Sequence, residues 1–390
     1  MTLREFEMLC DGDVRRTIAE NIERDPVSVA FDKRIEHSPE VATQVKYLQR
    51  ARRKLPSYFA AGCILPPLAF EQSSGEICAG RKPLAGDSVL DLTCGLGVDS
   101  FALSKRFRRV VAVERDEVTA AVARENFRRL GVDNVEVVCD TAEHYAATSE
   151  ERFDWCFADP DRRGADGGKR VLVEDCSPDM NEIIPLLQGR GTAKRICIKL
   201  SPMFDVAEAQ RIFQRFGRCS VEAVSLGDEC KELLVVVDDW RESSVTAVAA
   251  GRGEFSVTTA DMAAEPVAAG EFEPEKYGYL IVPDVALQKA RLVRRYFGAS
   301  AWTGSENGFA FAAERPSEDV LGRVFGIERI EPYDPTGIRR ELKGRRCEIL
   351  LRDTRLALPQ IRRATGLREG ADLRMAVTSA AGRIWAIRLK

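Results

Sequence analysis

The fold is decided by residues 88–104, which read SVLDLTCGLGVDSFALS. An apolar run ends at Asp91, and Gly95 and Gly97 follow it just before an amphipathic segment. Glycine lets the backbone pass close to a ligand, and the first turn of a helix offers unpaired N–H groups. The segment therefore predicts a strand, a ligand-binding loop and a helix. Because the third glycine of GxGxxG is missing, it disfavours a dinucleotide pyrophosphate site.

Apolar runs alternate with amphipathic segments from Asp87 to Asp238. Runs so rich in Val, Ile, Leu and Cys are typical of strands buried on both faces of a largely parallel sheet, and segments such as 117–130 supply helical crossovers. Only GDECK separates the last two runs, which favours an antiparallel hairpin. We therefore predict an α/β fold with a doubly wound, seven-stranded sheet. Its strands are predicted at SVLDL, RVVAVE, NVEVVC, FDWCFA, KRICIKL, SVEAVSL and ELLVVVD.

Changes of pattern along the chain predict four regions. Residues 1–84 lack strand alternation and read as helical, with Val41, Val45 and Leu48 at helical spacing before Pro56. Residues 85–240 hold the predicted sheet. Residues 241–328 and 329–390 read as two small α+β modules, and Pro283 marks a break between strand and helix in the first of them.

Composition places the chain among soluble globular proteins. Of its 390 residues, 45% are hydrophobic and 31% are charged, which excludes wholesale disorder. No apolar run reaches the ~18 residues of a membrane span, and the N-terminus carries charge where a signal peptide needs an apolar core. Eleven cysteines without a CxxC pair favour a reducing compartment and no zinc site. We expect a cytoplasmic protein that uses neither a membrane nor a metal.

The net charge of -3 hides an asymmetry between the two ends of the chain. From Leu321 to Lys390 there are 16 Lys and Arg against 8 Asp and Glu, a net charge of +8, which leaves −11 on the first 320 residues. A basic terminal module favours a polyanionic partner, above all a nucleic acid. The alternative is a small domain with an Arg-rich, solvated face.

A carboxylate ends each of the first four predicted strands. Ligands bind outside the carboxyl ends of strands in open α/β sheets. Glu114 follows the glycine loop by about 20 residues, where a carboxylate accepts both ribose hydroxyls of a nucleotide. Asp140 is placed to bond an adenine amino group, and Asp159-Pro160 lies where a reacting group would meet the ligand. The alternative is a set of unrelated end caps.

This order of motifs resembles the class I S-adenosylmethionine-dependent methyltransferases, over roughly Asp87 to Asp238. The resemblance implies a Rossmann-like methyltransferase sheet and S-adenosylmethionine as the cofactor. DLTCGLGVDS is particularly similar to RNA-modifying members. The cofactor-binding residues implied are Asp91, Thr93, Gly95, Gly97, Glu114, Arg115, Asp140, Thr141 and Asp159.

The whole chain also resembles a bacterial group in which a methyltransferase precedes a ferredoxin-like module and a THUMP-like terminal domain. Three segments carry this second resemblance: FEQSSGEICAGRK, KYGYLIVPDVALQKA and EPYDPTGIRRELKGR. THUMP domains are associated with RNA binding, so the resemblance implies RNA as the partner of the basic C-terminal module.

The fourth motif departs from the pattern of amino-methylating enzymes, which carry Asn or Asp, then two prolines and an aromatic residue. Here Asp159 and Pro160 match, whereas Asp161 and Arg162 replace the last two positions. We interpret these four residues as catalytic, with Asp159 as hydrogen-bond acceptor or general base. An Arg plane can stack on a base; alternatively Asp161 and Arg162 pair, or Arg162 and Arg163 bind phosphate.

Other segments have less specific patterns. Ser201 and Pro202 follow the fifth strand and are expected to border the substrate. The segment 71–73, EQS, resembles a cofactor-proximal segment, with a helix N-cap as the alternative. The glycine-rich stretch RRGADGGKR is either a lid or a solvated loop, and His144 either lines the pocket or lies on the surface.

Cysteine chemistry is disfavoured by position. Methylation of pyrimidine C5 needs an attacking thiolate, but neither DPDRR nor KLSPMF contains a cysteine. Cys139, Cys156 and Cys197 lie in strand runs and are expected to act as small hydrophobic residues.

Taken together, these features predict an S-adenosylmethionine-dependent methyltransferase that acts on RNA, at a base nitrogen, with the C-terminal modules docking the substrate. Three alternatives remain open. One is an RNA-binding protein that keeps the cofactor fold without turnover, and the others are a DNA amino-methyltransferase and a small-molecule methyltransferase.

Overall fold

The computed structural model describes residues 1–162, 176–266 and 270–390. Within these residues the chain forms two compact units. The first joins Met1–Val221 with Glu232–Glu242, and the second joins Glu222–Lys231 with Ser243–Lys390. Each unit has hydrophobic core clusters of its own.

The first unit begins with a helical region, as the sequence predicts. Its helices are α1 Leu3–Cys10, α2 Gly12–Glu20, α3 Pro26–Ala30, α4 Ser38–Lys54, α5 Pro56–Ala60, α6 Pro67–Gln72 and α7 Glu76–Ala79. The longest of them, α4, buries Val41, Val45 and Leu48 and ends just before Pro56. Asp11 caps α2, because its side chain accepts two N–H groups of the first turn that have no helical partner.

Two buried amide side chains fix the segment between α5 and α6. Asn126, in the helix Glu117–Leu130, accepts the N–H of Ile64 at 2.8 Å and donates to its carbonyl at 2.9 Å. Gln44 does the same for Leu65, at 2.9 and 3.2 Å. These residues lie outside any strand or helix, so the two amides supply the hydrogen bonds that buried backbone requires.

All seven predicted strands are present, and the predicted α/β fold is confirmed. The strands are β1 Ser88–Asp91, β2 Arg109–Glu114, β3 Val135–Cys139, β4 Phe153–Ala158, β5 Ala193–Leu200, β6 Cys219–Leu226 and β7 Glu229–Val237. They lie in the order β6-β7-β5-β4-β1-β2-β3 within a sheet of nine strands. The predicted count of seven is wrong, because Ser244–Ala249 and Gly253–Thr258 extend the sheet beyond β6. The strands β1 to β5 pair in parallel, and β7 runs antiparallel to β5. Gly227, with φ +64°, makes the turn of the hairpin.

The crossover helices start and end where their capping residues dictate. They are α8 Val98–Ser104, α9 Glu117–Leu130, α10 Ala142–Thr148, α11 Met180–Arg190 and α12 Val206–Phe213. Asp116 accepts the Thr119 N–H at the start of α9, and Gly131 ends this helix with a left-handed φ of +69°. Asp179 and Gly191 bound α11 in the same way.

The sheet is buried at its centre and partly exposed at its β3 edge. Cys156 on β4 and Cys197 on β5 are buried, as expected of small core residues. The expectation for Cys139 is wrong: it is exposed, because β3 has a neighbour on one side only.

The second unit is built mainly of strands. Its strands are β8 Ser244–Ala249, β9 Gly253–Thr258, β10 Tyr279–Pro283, β11 Trp302–Thr303, β12 Ala310–Ala312, β13 Gly322–Pro332, β14 Arg346–Leu351, β15 Arg368–Glu369, β16 Leu373–Ala380 and β17 Arg383–Leu389. Its helices are α13 Thr259–Met262, α14 Val285–Lys289, α15 Val293–Phe297, α16 Pro335–Leu342 and α17 Leu358–Thr365. An eight-stranded sheet has the order β11-β12-β10-β13-β17-β16-β14-β15.

The long strand β13 belongs to both halves of this sheet. Its residues from Gly322 to Gly326 pair with β10, and those from Ile327 to Pro332 pair with β17 after a shift of register between Ile327 and Arg329. The predicted boundary between residues 328 and 329 therefore falls inside a continuous strand. None of the helices in the described part of the chain is long and apolar enough to cross a membrane.

Candidate active site

A cleft of about 590 Å³ opens at the carboxyl ends of β1 to β4. It is lined by residues that follow these strands, by Met1 and residues 177–178, and by members of the segment 66–74, which we call the strap. Six of the predicted cofactor-binding residues line the cleft, and so does Asp161, which is predicted to be catalytic. The six are Thr93, Gly95, Glu114, Arg115, Asp140 and Asp159.

The glycine loop turns sharply beneath the cleft. Gly95 and Gly97 have φ values of +52° and +84°, which residues with a side chain rarely adopt. A Cβ atom on Gly97 would lie 2.6 Å from the ring of Phe127, so the loop packs against α9 at this point. Gly97 shapes the loop from below and does not itself line the cleft.

Asp91 lies under the loop and is fully buried. One carboxylate oxygen accepts the N–H of Thr93 at 2.9 Å, and the other accepts the Ser100 hydroxyl. Burial raises the pKa of Asp91 to about 7, and the two donors offset only part of this effect. The structure therefore places Asp91 where it holds the loop, and not on the surface of the cleft.

Glu114, at the end of β2, ties the glycine loop to the next turn. Its two carboxylate oxygens accept the N–H of Gly95 at 2.8 Å and that of Asp116 at 2.9 Å. Arg115 follows in the cleft wall, and its guanidinium lies 3.3 Å from the Ser177 hydroxyl.

Asp140 contacts His144, whose position at the pocket or on the surface the sequence does not decide. Its Oδ1 accepts the N–H of Thr141 at 2.8 Å, and its Oδ2 lies 2.7 Å from Nδ1 of His144. The His144 ring is 65% exposed and does not line the cleft. Thr141 does not line the cleft either: it caps α10 through its hydroxyl.

Asp159 lies at the end of β4, with its side chain about one-third exposed to the cleft. Its N–H donates to the Thr93 hydroxyl at 2.6 Å, and its Oδ2 accepts a hydrogen bond from the ammonium of Lys199. Within the described residues no donor reaches its Oδ1. Burial raises the pKa of Asp159, against the opposing effect of Lys199.

The rest of the fourth motif is only partly described. Asp161 and Arg162 form a two-residue strand that pairs antiparallel with Cys176 and Ser177. Pro160 does not line the cleft. Arg163, the predicted lid and the side chain of Arg162 lie outside the described residues, so the predictions of stacking and phosphate binding rest on sequence alone.

Two predicted substrate residues lie beyond the cleft wall. Ser201 and Pro202 follow β5, and the Ser201 hydroxyl accepts the N–H of Met203 at 3.3 Å. Neither of them lines the cleft.

The strap places three polar residues on the cleft: Gln72 and Ser73, as the sequence suggests, and Ser74, which sequence reasoning missed. Glu71 instead forms a bidentate ion pair with Arg50 of α4. Lys54, at the end of α4, donates to the carbonyls of residues 70 and 71. The basic end of α4 therefore holds the strap in place.

Sequence reasoning also missed a buried chain of charged side chains behind Asp159. It contains Lys82, Asp99, Lys199 and Glu232, which are drawn from four distant parts of the sequence. The available signal was Lys199 itself, a lysine inside the otherwise apolar end of KRICIKL. The polar pair Asp99-Ser100 after the glycine loop was a second signal.

Cysteine and metal chemistry find little support at the cleft. Cys94 lines it but is 6% exposed, and burial followed by the charges of Asp91 and Glu114 raises the pKa of its thiol well above the ordinary value. No cluster of His, Cys, Asp and Glu suited to a metal ion occurs among the residues that the structure describes.

Two family models match separate parts of the chain. Residues 84–268 match the family described as a methyltransferase domain, and residues 322–390 match the family described as THUMP domain-like. A candidate methyltransferase from Porphyromonas gingivalis W83 has the same fold: its crystal structure gives a TM-score of 0.80 at 23% identity, over 100% of this chain and 99% of that chain.

Two curated relatives are similar over different lengths. An uncharacterised S-adenosylmethionine-dependent methyltransferase of Mycobacterium tuberculosis is 25% identical over 307 residues, which cover 76% of this chain and 78% of that protein. A 23S rRNA (uracil(1939)-C(5))-methyltransferase of Aeromonas salmonicida is 38% identical over 162 residues, which cover 34% of this chain and 37% of that protein.

Proposed function

We infer that this chain, a methyltransferase with a THUMP-like C-terminal domain, uses S-adenosylmethionine to methylate a base nitrogen of RNA. The observation that carries the proposal is the position of Asp159. Its carboxylate lies at the cleft with one oxygen held by Lys199 and no described donor on the other, as a hydrogen-bond acceptor for an N–H group requires.

The cleft suits S-adenosylmethionine in size and in its polar groups. Its volume of about 590 Å³ lies within the usual ~300–1,000 Å³ of small-molecule sites. Glu114 would accept the ribose hydroxyls and Asp140 the adenine amine, while the tight turn at Gly95 and Gly97 lets the cofactor approach the backbone. When bound, the cofactor would supply a methyl group activated by a sulfonium, because the neutral thioether is a good leaving group.

Asp159 would orient the accepting nitrogen and take up its proton. The accepting nitrogen would take the methyl group from the sulfonium, whose sulfur would leave as the thioether of S-adenosylhomocysteine. The N–H proton would pass to Oδ1 of Asp159 and from there to water. Such a displacement depends on holding the two reactants in line in a dry site more than on a strong base.

Three observations support RNA as the substrate. Several relatives act on ribosomal or transfer RNA according to their names, the C-terminal domain is THUMP-like, and residues 321–390 carry a net charge of +8. Positive charge binds the phosphate backbone of any nucleic acid, so the THUMP-like domain is what favours RNA over DNA.

Attack by nitrogen is favoured over attack by carbon, although those RNA-modifying relatives methylate uracil C5. Carbon methylation of that kind needs a thiolate that attacks the ring first. Among the described residues that line the cleft, Cys94 is the only cysteine, and its raised pKa keeps it in the thiol form. Asp159, as the residue that orients the acceptor and takes up its proton, is therefore the better candidate for the catalytic group.

The proposal is tested with the purified full chain and methyl-labelled S-adenosylmethionine. Total RNA from a strain that lacks the gene is offered in parallel with DNA and with small-molecule extract, and label is counted in each fraction. We expect label in one RNA species. Label in DNA alone would identify a DNA amino-methyltransferase, and label in small molecules alone would also refute the proposal. Cofactor binding without transfer to any pool would favour an RNA-binding protein without turnover.

Two substitutions should separate the roles of the site residues. Asp159→Ala should lower transfer by about 10²–10⁴-fold and leave cofactor affinity within several-fold, since its carboxylate serves the acceptor. Glu114→Ala should weaken cofactor binding by about 10- to 100-fold, measured by titration calorimetry. Glu136→Ala, which removes an exposed carboxylate on β3, is the control. Loss of cofactor binding in Asp159→Ala would show that this residue binds S-adenosylmethionine and not the RNA acceptor.

A further inference from the structure

We propose that Lys199 is a positioning residue that fixes the Asp159 carboxylate for the accepting nitrogen, and that a buried chain of Ser74, Asp99, Lys82 and Glu232 fixes Lys199. The proposal rests on the role given above to Asp159 and goes beyond it, because it names the residues that hold Oδ2 of that carboxylate in place.

Lys199 joins the cleft to the interior of the first unit. Its side chain is 12% exposed, and its ammonium donates to Oδ2 of Asp159 and, at 2.9 Å, to the Ser74 hydroxyl. The same nitrogen lies 3.8 Å from Oδ2 of Asp99. Three oxygens from three separate segments therefore surround one ammonium, which leaves it little freedom to turn.

The oxygens around Lys199 are themselves held from behind. The Ser74 hydroxyl donates to Oδ2 of Asp99 at 2.7 Å, so it accepts from Lys199 and passes the hydrogen bond on. Oδ1 of Asp99 lies 3.3 Å from Nζ of Lys82, which is fully buried and lies 2.7 Å from Oε1 of Glu232. The chain thus runs from Glu232 in the core to Asp159 at the cleft.

A buried chain of charges is costly in free energy, so its presence in the core calls for a functional explanation. Burying ions loses hydration, and an apolar core of the same volume is often as stable. Here two lysines and three carboxylates occupy the interior, and the last carboxylate is the one exposed to the cleft. A chain that ends at the candidate catalytic residue is explained by orientation: it ties Oδ2 of Asp159 and leaves Oδ1 for the substrate.

The charges that face Asp159 set the sign of a pH test. Its pKa is raised by burial and by the carboxylate of Asp99, and lowered by Lys199 and, more weakly, by Lys82. Asp91 interacts with it unfavourably from beneath the loop. Loss of the Lys199 charge should therefore raise the pKa of Asp159 further, so that the ionised carboxylate forms only at higher pH.

The first test compares Lys199→Met, Lys199→Arg and Ser74→Ala in the full chain. We expect Lys199→Met to lower kcat about 100-fold, to leave the Kd for S-adenosylmethionine within about threefold, and to shift the acidic limb of the kcat–pH profile to higher pH. Lys199→Arg should restore part of kcat and return the limb toward the wild-type position. Ser74→Ala should lower kcat by about tenfold, because it removes one of the holding bonds.

The control is Lys231→Met, which removes an exposed lysine paired with Glu229. It should leave kcat, the Kd for S-adenosylmethionine and the kcat–pH profile unchanged. If Lys199→Met does not fold, Lys199→Arg and Ser74→Ala keep the charges of the chain and carry the test. Unchanged kcat in Lys199→Met would overturn the proposal. So would a joint loss of melting temperature, cofactor affinity and kcat with the pH profile in place, because that pattern marks a merely structural role.

A second measurement does not need the RNA substrate. The carboxyl carbon of Asp159 is followed by NMR during a pH titration of Asp-labelled protein, with its signal assigned by Asp159→Asn. We expect a higher pKa in Lys199→Met than in the wild type. If the wild type transfers label to no RNA, the proposed function fails while this titration still decides whether Lys199 controls Asp159. An identical pKa in both proteins would overturn that control.

Discussion

Gly97 shows how a single missing side chain shapes the cleft. It combines a left-handed φ of +84° with close contact to the Phe127 ring, so both its conformation and its surroundings exclude a Cβ atom. Gly97→Ala should therefore strain the loop and displace Phe127, at a cost of about 1–3 kcal/mol. We expect a lower melting temperature and weaker S-adenosylmethionine binding by calorimetry.

Gly131 provides a matched control. It ends α9 with a φ of +69°, but a Cβ atom there would meet nothing within 4 Å. Gly131→Ala should cost about 1 kcal/mol and leave cofactor affinity unchanged. Equal loss of cofactor affinity in both variants would show that strain alone, and not the packing of the loop on Phe127, accounts for the effect.

Asp91 makes the stability of the protein depend on pH. Its ordinary pKa is 3.8, and burial raises it to about 7 in the folded chain. Between these values the folded protein holds a proton that the unfolded chain has lost, so its stability falls as the pH rises. The contribution is on the order of 4 kcal/mol over the whole window.

Asp91→Asn should remove this dependence. The free energy of unfolding of the variant, relative to the wild type, should increase from pH 4 to pH 7 in urea titrations. Asp133→Asn, at an exposed loop position, is the control for the loss of a carboxylate outside the core. A constant difference between Asp91→Asn and the wild type across the range would contradict a raised pKa.

At the scale of elements, the amide of Asn126 links the helical region to α9, one of the crossover helices of the sheet. It is fully buried and satisfies both the N–H and the carbonyl of Ile64. Asn126→Ala would leave these two backbone groups without partners in the core, so we expect a loss of about 2–4 kcal/mol in the free energy of unfolding, measured by urea denaturation.

Gln49→Ala is the control for this prediction. Its amide donates to the carbonyls of Ile22 and Arg24 at 2.9 and 2.8 Å, but it is only partly buried. Water can replace those bonds, and a loss below about 1 kcal/mol is expected. A similar small loss in Asn126→Ala would mean that water also reaches Ile64.

The elements themselves could be predicted well from the sequence, because each depends on nearby residues. The apolar runs locate the seven strands, and helical spacing locates α4. Glu114, Asp140 and Asp159 line the cleft as predicted, because carboxyl ends of parallel strands meet at one edge of the sheet. Asp91 ends its strand in the same way, yet its side chain turns beneath the loop toward Ser100.

The chain of charges behind Asp159 could not be predicted, because its contacts are remote in sequence. Lys82 and Glu232 are 150 residues apart, and Lys199 and Ser74 are 125 residues apart. No local pattern reports such pairings. The same holds for the strap, whose place at the cleft depends on Lys54 and Arg50 of α4.

At the scale of the whole molecule, the two ends of the chain differ in charge, with +8 on residues 321–390 and −11 on the first 320 residues. The THUMP-like module carries exposed cations such as Arg340, Lys343 and Arg345. If they contact RNA phosphates, replacement of all three by Gln should weaken RNA binding. It should also reduce the slope of log K against log salt by about 0.7–0.9 for each lost contact.

Fluorescence anisotropy over a salt series would measure this slope. Arg108→Gln, which removes an exposed arginine of the first unit, is the control for a general loss of charge. An unchanged slope in the triple variant would place the RNA contacts elsewhere on the protein.

The continuous strand β13 has a consequence for anyone who recombines these domains. The THUMP-like match begins at residue 322, the first residue of that strand. Residues 322–326 pair with β10, which lies upstream of the match. A fusion protein that borrows only residues 322–390 would leave that half of the strand as a bare edge, open to pairing between copies. A graft that starts before Tyr279 would bring the strand that covers this edge.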